Sequence, residues 1–219
     1  MIHFRLIPRL LNPIFIKPIQ IQKSKWIRSY ATIDLTQLHS LLMNLDEKQK
    51  LFEDSIQWGH SKELKLSLTD HCINPSENDN WAIRITSAKG YKDNLSILLR
   101  DQRIDPSAKD NMCIRLAAEN GHADCVRLLL DHPNVDPSAK NNAALRWASR
   151  NGHSKCVSIL LSDSRADPTA DNHYAIKWAM ANSHHACVGL LLADSRMQQY
   201  KFDLPSLQDF KAKSKFAFE

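Results

Sequence analysis

The chain has 219 residues, 43% hydrophobic and 24% charged, which is long enough to bury a core and ordinary for a globular protein. Its net charge of +5 is uneven: six of the 29 Lys and Arg precede Tyr30 and no acid occurs before Asp34, leaving 23 bases against all 24 acids in residues 31–219. That body has no basic excess to neutralise phosphates, so a nucleic-acid partner is excluded from the expectation. Five cysteines without a CxxC pair or zinc-spaced Cys/His cluster argue against disulfides or a metal site, and no run of 18 apolar residues exists to span a membrane.

Residues 1–30 contain no acid, six bases and many bulky apolar side chains, the charge pattern of a mitochondrial transit peptide. Arg28 lies three residues before Ala31, which places the expected mature start at Ala31 and the expected location in mitochondria. Pro8, Pro13 and Pro18 interrupt a long amphipathic helix, and the alternative is a disordered extension on a cytoplasmic protein. Leu35, Leu38, Leu41, Leu42 and Leu45 then recur at near-helical spacing. Residues 31–72 are accordingly read as N-terminal helices with a degenerate capping repeat.

From there a 31-residue period governs the chain, marked by Pro75, Pro106, Pro137 and Pro168. Four copies follow at 73–103, 104–134, 135–165 and 166–196, and Gly59-His60 extends the register one period back. Asp79, Asp110, Asn141 and Asn172 share a position suited to capping a first helix. Gly90, Gly121 and Gly152 follow about ten residues later, where a left-handed residue ends that helix. A second helix comes next, with Val126, Leu128, Leu129 and Leu130 in one copy and Val157, Ile159, Leu160 and Leu161 in another. Helices this short are marginal alone in water and must bury their apolar faces against neighbouring copies. After Arg196 the register ends; residues 197–219 form a tail in which Pro205-Ser206 opens a candidate helix that either caps the array or is flexible.

Ala117-Ala118-Glu119-Asn120-Gly121-His122 followed by Val126-Arg127-Leu128-Leu129-Leu130 resembles the ankyrin repeat family. The resemblance covers residues 73–196 well and 42–72 weakly. It implies an all-α, helical-repeat solenoid of helix-turn-helix units. Two departures accompany it: the family's usual period is about 33, and its Thr-Pro-Leu-His opening is replaced by Met112-Cys113-Ile114-Arg115 and its counterparts. Short turns begun by Asp-Pro are therefore expected between repeats in place of full β-hairpin fingers.

Several columns of the repeat carry chemistry-bearing residue types. Cys125, Cys156 and Cys187 recur at 31, but stacked helices lie ~8–10 Å apart, beyond disulfide reach, so they are read as filling the core. His60, His122, His153 and His184 follow the glycines without a recurring co-ligand; the resemblance implies a structural histidine near the start of the second helix. Trp147 and Trp178 share a position with Ile85 and Leu116, which indicates core or half-buried packing. Trp81, Met112 and Tyr174 share another near the first-helix start, where aromatic residues can anchor a partner.

Arg84, Arg115, Arg146 and Lys177 form a basic column in all four copies, and Asn74, Asp105, Asp136 and Asp167 precede the prolines. Either the two columns pair and stitch turns to helices, or the bases form a strip that meets an acidic partner. The former is expected. The resemblance implies a concave face of turns and first helices as the contact surface, which here exposes Lys109, Asn111, Glu119, Lys140, Asn142, Arg150, Asp171 and His173. No nucleophile elbow, phosphate-binding glycine loop or HExxH is present, so neither catalysis, cofactor nor small-molecule substrate is expected. The expected function is a non-catalytic protein-binding scaffold or adaptor; the alternative is a structural or assembly subunit packed permanently in a larger, possibly mitochondrial, complex.

Overall fold

The computed structural model describes residues 43–200, which form ten α-helices and a closing 3-10 turn, with no strand among the described residues. In chain order they are α1 Leu45–Trp58, α2 Ser61–Leu68, α3 Glu77–Lys89, α4 Lys92–Leu98, α5 Ala108–Glu119 and α6 Ala123–Leu130. Then come α7 Ala139–Arg150, α8 Ser154–Leu161, α9 Ala170–Ala181, α10 His185–Ala193 and the 3-10 turn Ser195–Tyr200. The transit-peptide segment, most of the leucine series before Leu45 and the candidate tail helix after Pro205 lie outside the described residues.

Five helix pairs stack in order, first helix on first helix and second on second. The 31-residue period is visible as columns of buried side chains. Ile83, Ile114, Leu145 and Ile176 fill one place in the first helices, and Leu98, Leu129, Leu160 and Leu191 fill one in the second helices. Ile73, Ile104, Val135 and Ala166 plug the turns between pairs. Each buried aliphatic side chain contributes roughly 1.5–3 kcal/mol, and helices of seven to nine residues such as α4 and α10 depend on those contacts. Alanines at 82, 117, 144, 148 and 179 are buried between first helices and permit their close approach.

Each first helix ends on a left-handed residue: Gly59, Gly90, Gly121 and Gly152 have φ of 75°, 74°, 79° and 78°, and Ser183 has 59°. Conformation alone does not account for glycine. A Cβ on Gly121 would stand 2.6 Å from Nδ1 of His153, and one on Gly152 would stand 2.6 Å from Nδ1 of His184, because each histidine ring lies on the glycine one repeat earlier. The far side of the ring is also used. Nε2 of His122, His153 and His184 sits 2.9 Å from the carbonyl oxygens of Ala88, Glu119 and Arg150. A carbonyl only accepts, so Nε2 carries the proton and donates. At the first junction Tyr91 takes the ring's place over Gly59 and its hydroxyl donates to the Gln57 carbonyl.

The residues expected to cap the first helices do something else. Asp79, Asp110, Asn141 and Asn172 have φ of 57°, 57°, 56° and 54° and sit in the middle of three-residue left-handed turns. Asn and Asp are the non-glycine residues that best tolerate this region, so residue types that signal an N-cap also suit such a turn. The third turn residue reaches into the next repeat: Oδ1 of Asn80, Asn111 and Asn142 accepts from the backbone N–H of Asp105, Asp136 and Asp167 at 2.8, 2.8 and 2.6 Å. The aspartates of the Asp-Pro turns in turn accept from Ser107, Ser138 and Thr169, main chain and hydroxyl together. These are the short turns the sequence implied.

A second stitch went unread in the sequence, although its residues also recur. Asp101-Gln102-Arg103, Asp163-Ser164-Arg165 and Asp194-Ser195-Arg196 each fold an arginine onto the aspartate two residues earlier. The guanidinium then donates back one repeat, from Arg103 to the Ile73 carbonyl at 3.0 Å and from Arg165 to the Val135 carbonyl at 2.8 Å. The adjoining guanidinium holds each of the three carboxyls below the usual aspartate range. Two positions lack the arginine: at Asp70-His71-Cys72 the Cys72 N–H donates to the Asp70 carboxylate, and at His132-Pro133-Asn134 the Asn134 N–H donates to the His132 ring.

The ring-on-glycine contact is directly testable. Gly121→Ala is expected to destabilise through left-handed backbone strain of about 1–2 kcal/mol plus the clash with His153. In a His153→Ala background only the backbone part should remain, so urea denaturation should show a smaller cost there. An equal cost in both backgrounds would contradict the overlay.

Candidate interaction face on the first helices

Residues at i, i+3, i+4 and i+7 share one side of a helix. On the first helices that pattern puts Trp81, Met112 and Tyr174 in one row, the basic column in the next, and Ile85, Leu116, Trp147 and Trp178 in a third. Glu119 and Arg150 stand one turn further along. Arginine and aromatic rings alternate across these rows. The Arg115 guanidinium lies 5.3 Å from the centroid of the Trp147 ring, Arg146 lies 4.7 Å from Tyr174, and Arg150 lies 4.9 Å from Trp178. Tyr174 and Trp178 are themselves 5.5 Å apart, tilted by 35°. Each such cation–π contact is worth about 0.5–1 kcal/mol when exposed.

Trp178 departs from the core or half-buried placement expected of it. It is 38% exposed, whereas Trp147 is half-buried. Trp147 has a following first helix beside it, while Trp178 belongs to the last helix pair of the described residues. Towards the opposite end, a cleft of ≈ 290 Å³ between α1 and α3 is lined by Phe52, Asn78 and Trp81 among others.

The basic column does not pair with Asp105, Asp136 or Asp167, whose carboxylates are occupied by their own turns. Its members differ from one another. Arg84 donates to the carbonyls of Asp79 and Asn78 at 3.0 and 2.9 Å and touches the Met112 sulfur. Arg146 pairs with Asp171 and donates to the Lys140 carbonyl. Arg115 is only 9% exposed and has no ion-pair or hydrogen-bond partner among the described residues; its buried Nε is unpaired, as is that of Arg146. The register explains the difference. Asp171 lies 25 residues after Arg146; the residue 25 after Arg115 is Lys140, which pairs with Asp110 at 2.9 Å, just as Lys109 pairs with Asp79 at 2.8 Å.

Of the residues expected to meet a partner, Lys109, Lys140 and Asp171 thus lie in exposed ion pairs along the turn tips, and Arg150 covers Trp178. Asn142 is buried, Asn111 is half-buried, and both accept inter-repeat hydrogen bonds, which removes them from the contact surface. Glu119 is half-buried, its carbonyl accepting from Asn151 and His153, and His173 is half-buried. Lys177 is exposed. The Arg-to-aromatic offsets of 28 and 32 residues, three short of one repeat and one beyond it, are the signal that a column-by-column reading passes over.

A family model of ankyrin repeats (three copies) matches residues 81–172. Those residues are ankyrin repeats. Ankyrin repeats are generally protein-interaction modules. No curated protein matches the chain. The match spans α5 to α8 whole, which contain Arg115, Arg146 and Trp147, so the centre of the face is built from ankyrin helices. The ankyrin histidines serve as inter-repeat struts, and Cys125, Cys156 and Cys187 are buried free thiols. Burial pushes Cys125 and Cys156 up to about 11 and raises Cys187, so these sulfurs stay protonated and unreactive near neutral pH. Among the described residues no three His, Cys, Asp or Glu side chains gather as a metal site would need, and no helix is long and apolar enough to cross a membrane.

The inequality within the basic column predicts opposite responses to the same substitution. Arg146→Met removes one side of an ion pair and leaves Asp171 without its partner, and the melting temperature should fall. Arg115→Met removes a buried charge that has no acceptor, and the melting temperature should hold or rise. Thermal unfolding of the two variants checks this; equal losses would contradict the assignment.

Proposed function

We propose that the first-helix face binds a protein partner and that the chain works as a non-catalytic scaffold or adaptor. The observation that carries this reading is the run of arginine–aromatic stacks from Arg115 to Trp178, ending in an exposed tryptophan. Arginine, tyrosine and tryptophan are the side chains that dominate binding energy where proteins meet. Holding them against one another lowers the ordering cost of association. The stitches that maintain the fold sit at helix ends and turns, so Arg150 and Trp178 are not needed there. The buried, protonated thiols and the occupied histidine nitrogens favour a binding role over a catalytic one.

The test compares two surfaces of the full chain. Trp178→Ala with Arg150→Ala should leave the melting temperature close to wild type and weaken partner association about tenfold or more. Arg127→Ala with Lys155→Ala, exposed on the second helices, should change neither. Quantitative affinity capture followed by binding measurements reads both; a partner retained equally by the two variants would sink the assignment of the face.

We further propose a mitochondrial destination, supported by the acid-free first thirty residues with their six bases. Residues 1–35 fused to a fluorescent reporter should carry it into mitochondria, with cleavage near Ala31. A diffuse cytosolic reporter would overturn that proposal.

A further inference from the structure

We infer that Arg115 is the seat for a carboxylate carried by the protein segment that occupies the first-helix face, so that the partner presents an acidic side chain to the middle of the array. This rests on the reading of the face given above and names the chemistry of its central contact.

Arg115 is more than nine-tenths buried, makes no hydrogen bond or ion pair with any described residue, and has one nitrogen fully covered without an acceptor. A guanidinium is always charged and has five N–H donors, and burying it unsatisfied costs several kcal/mol in principle. Every nearby acid is otherwise engaged or out of reach. Asp110, whose carboxyl is held low first by Lys140 and only weakly by Arg115, is committed to Lys140. Glu119, one turn on along α5, forms no ion pair with it. The place from which Asp171 serves Arg146 is filled by Lys140 for Arg115, a like charge.

At the next step of the column a carboxylate meets the guanidinium while an aromatic ring, Tyr174, covers that guanidinium's face. Arg115 has the aromatic cover, Trp147 at 5.3 Å, but not the carboxylate. A planar fork with one face covered favours a bidentate carboxylate approaching in the plane. The surroundings agree in sign: with Arg146 neutralised by Asp171, Arg84, Arg150 and Lys177 on the same face still outnumber Glu119. That excess of cations favours an acidic segment of another protein as the occupant.

A random-peptide display selection on the full-length chain supplies the probe. Peptides recovered on the wild type should share an Asp or Glu. For a synthetic peptide from that set, Glu→Gln (or Asp→Asn) in the peptide and Arg115→Met in the protein should each weaken binding about thirtyfold or more. The two together should weaken it no further than either alone. Arg115→Lys, which keeps charge but not the fork, should fall between and provides a second variant should Arg115→Met not fold. Peptides that bind the face, and so are lost on Trp178→Ala with Arg150→Ala, but are indifferent to Arg115→Met overturn the carboxylate seat alone. So do recovered peptides without an acid, or ones that bind only when the acid is replaced by phosphoserine. Recovery of no peptide, or of peptides that survive the Trp178 and Arg150 changes, overturns the face reading and the seat with it.

Discussion

The contact on which the structure depends is the aromatic ring that each second helix lays across the glycine of the repeat before. It fixes three things at once. The ring's thickness sets the approach of successive repeats, its Nε2 satisfies a carbonyl left open at the end of the preceding first helix, and its Nδ1 side allows only glycine beneath. Ten short helices that would not persist singly become one array because each repeat completes the hydrogen bonding of its neighbour. The asparagine Oδ1 to Asp-Pro turn bond and the back-reaching arginines of the Asp-x-Arg triplets do the same at the other end of the repeat. Hydrophobic columns then fill the space these polar stitches define.

Because the stitches occupy helix ends and turns, the outward side of the first helices, the Arg146–Asp171 pair apart, carries little of the fold's stability and is open to other uses. Its residues are nonetheless ordered. Arg146 and Arg150 lie on the rings of Tyr174 and Trp178, and the lysines of the turn tips pair with aspartates one repeat back. A surface that is ordered without being needed for folding is one that a partner can engage without first paying to arrange it.

Much of this was legible in the sequence, and the reasons differ by element. The period, the two helices of each repeat, the glycines that end the first of them and the burial of the cysteine column follow from local pattern, because each depends on residue type at a fixed place. Pairing across repeats was not legible. Asp105, Asp136 and Asp167 recur in step with Arg84, Arg115 and Arg146, yet equal periods say nothing about which side chains meet, and the aspartates turn back onto Ser107, Ser138 and Thr169. Asp79 and its equivalents were misread as caps because Asn and Asp also serve left-handed turns. Trp178 has the same local sequence context as Trp147, and only its place in the last described helix pair exposes it.

The repeat also shows how one substitution redirects a surface without touching the fold. Position 109, 140 and 171 of successive copies reads Lys, Lys, Asp, and the position after it reads Asp, Asn, Asn from 110 onward. While lysine faces an aspartate one repeat back, the tip ladder closes on itself and the arginine one turn inside is left out. Where aspartate replaces lysine at 171, the residue one repeat back is Asn141, no cation waits for it on the ladder, and it turns inward to Arg146. The same backbone therefore presents a neutralised arginine at one step and an unneutralised one at the step before. Sign at the turn tip, not the arginine column itself, decides which step of the face seeks an anion.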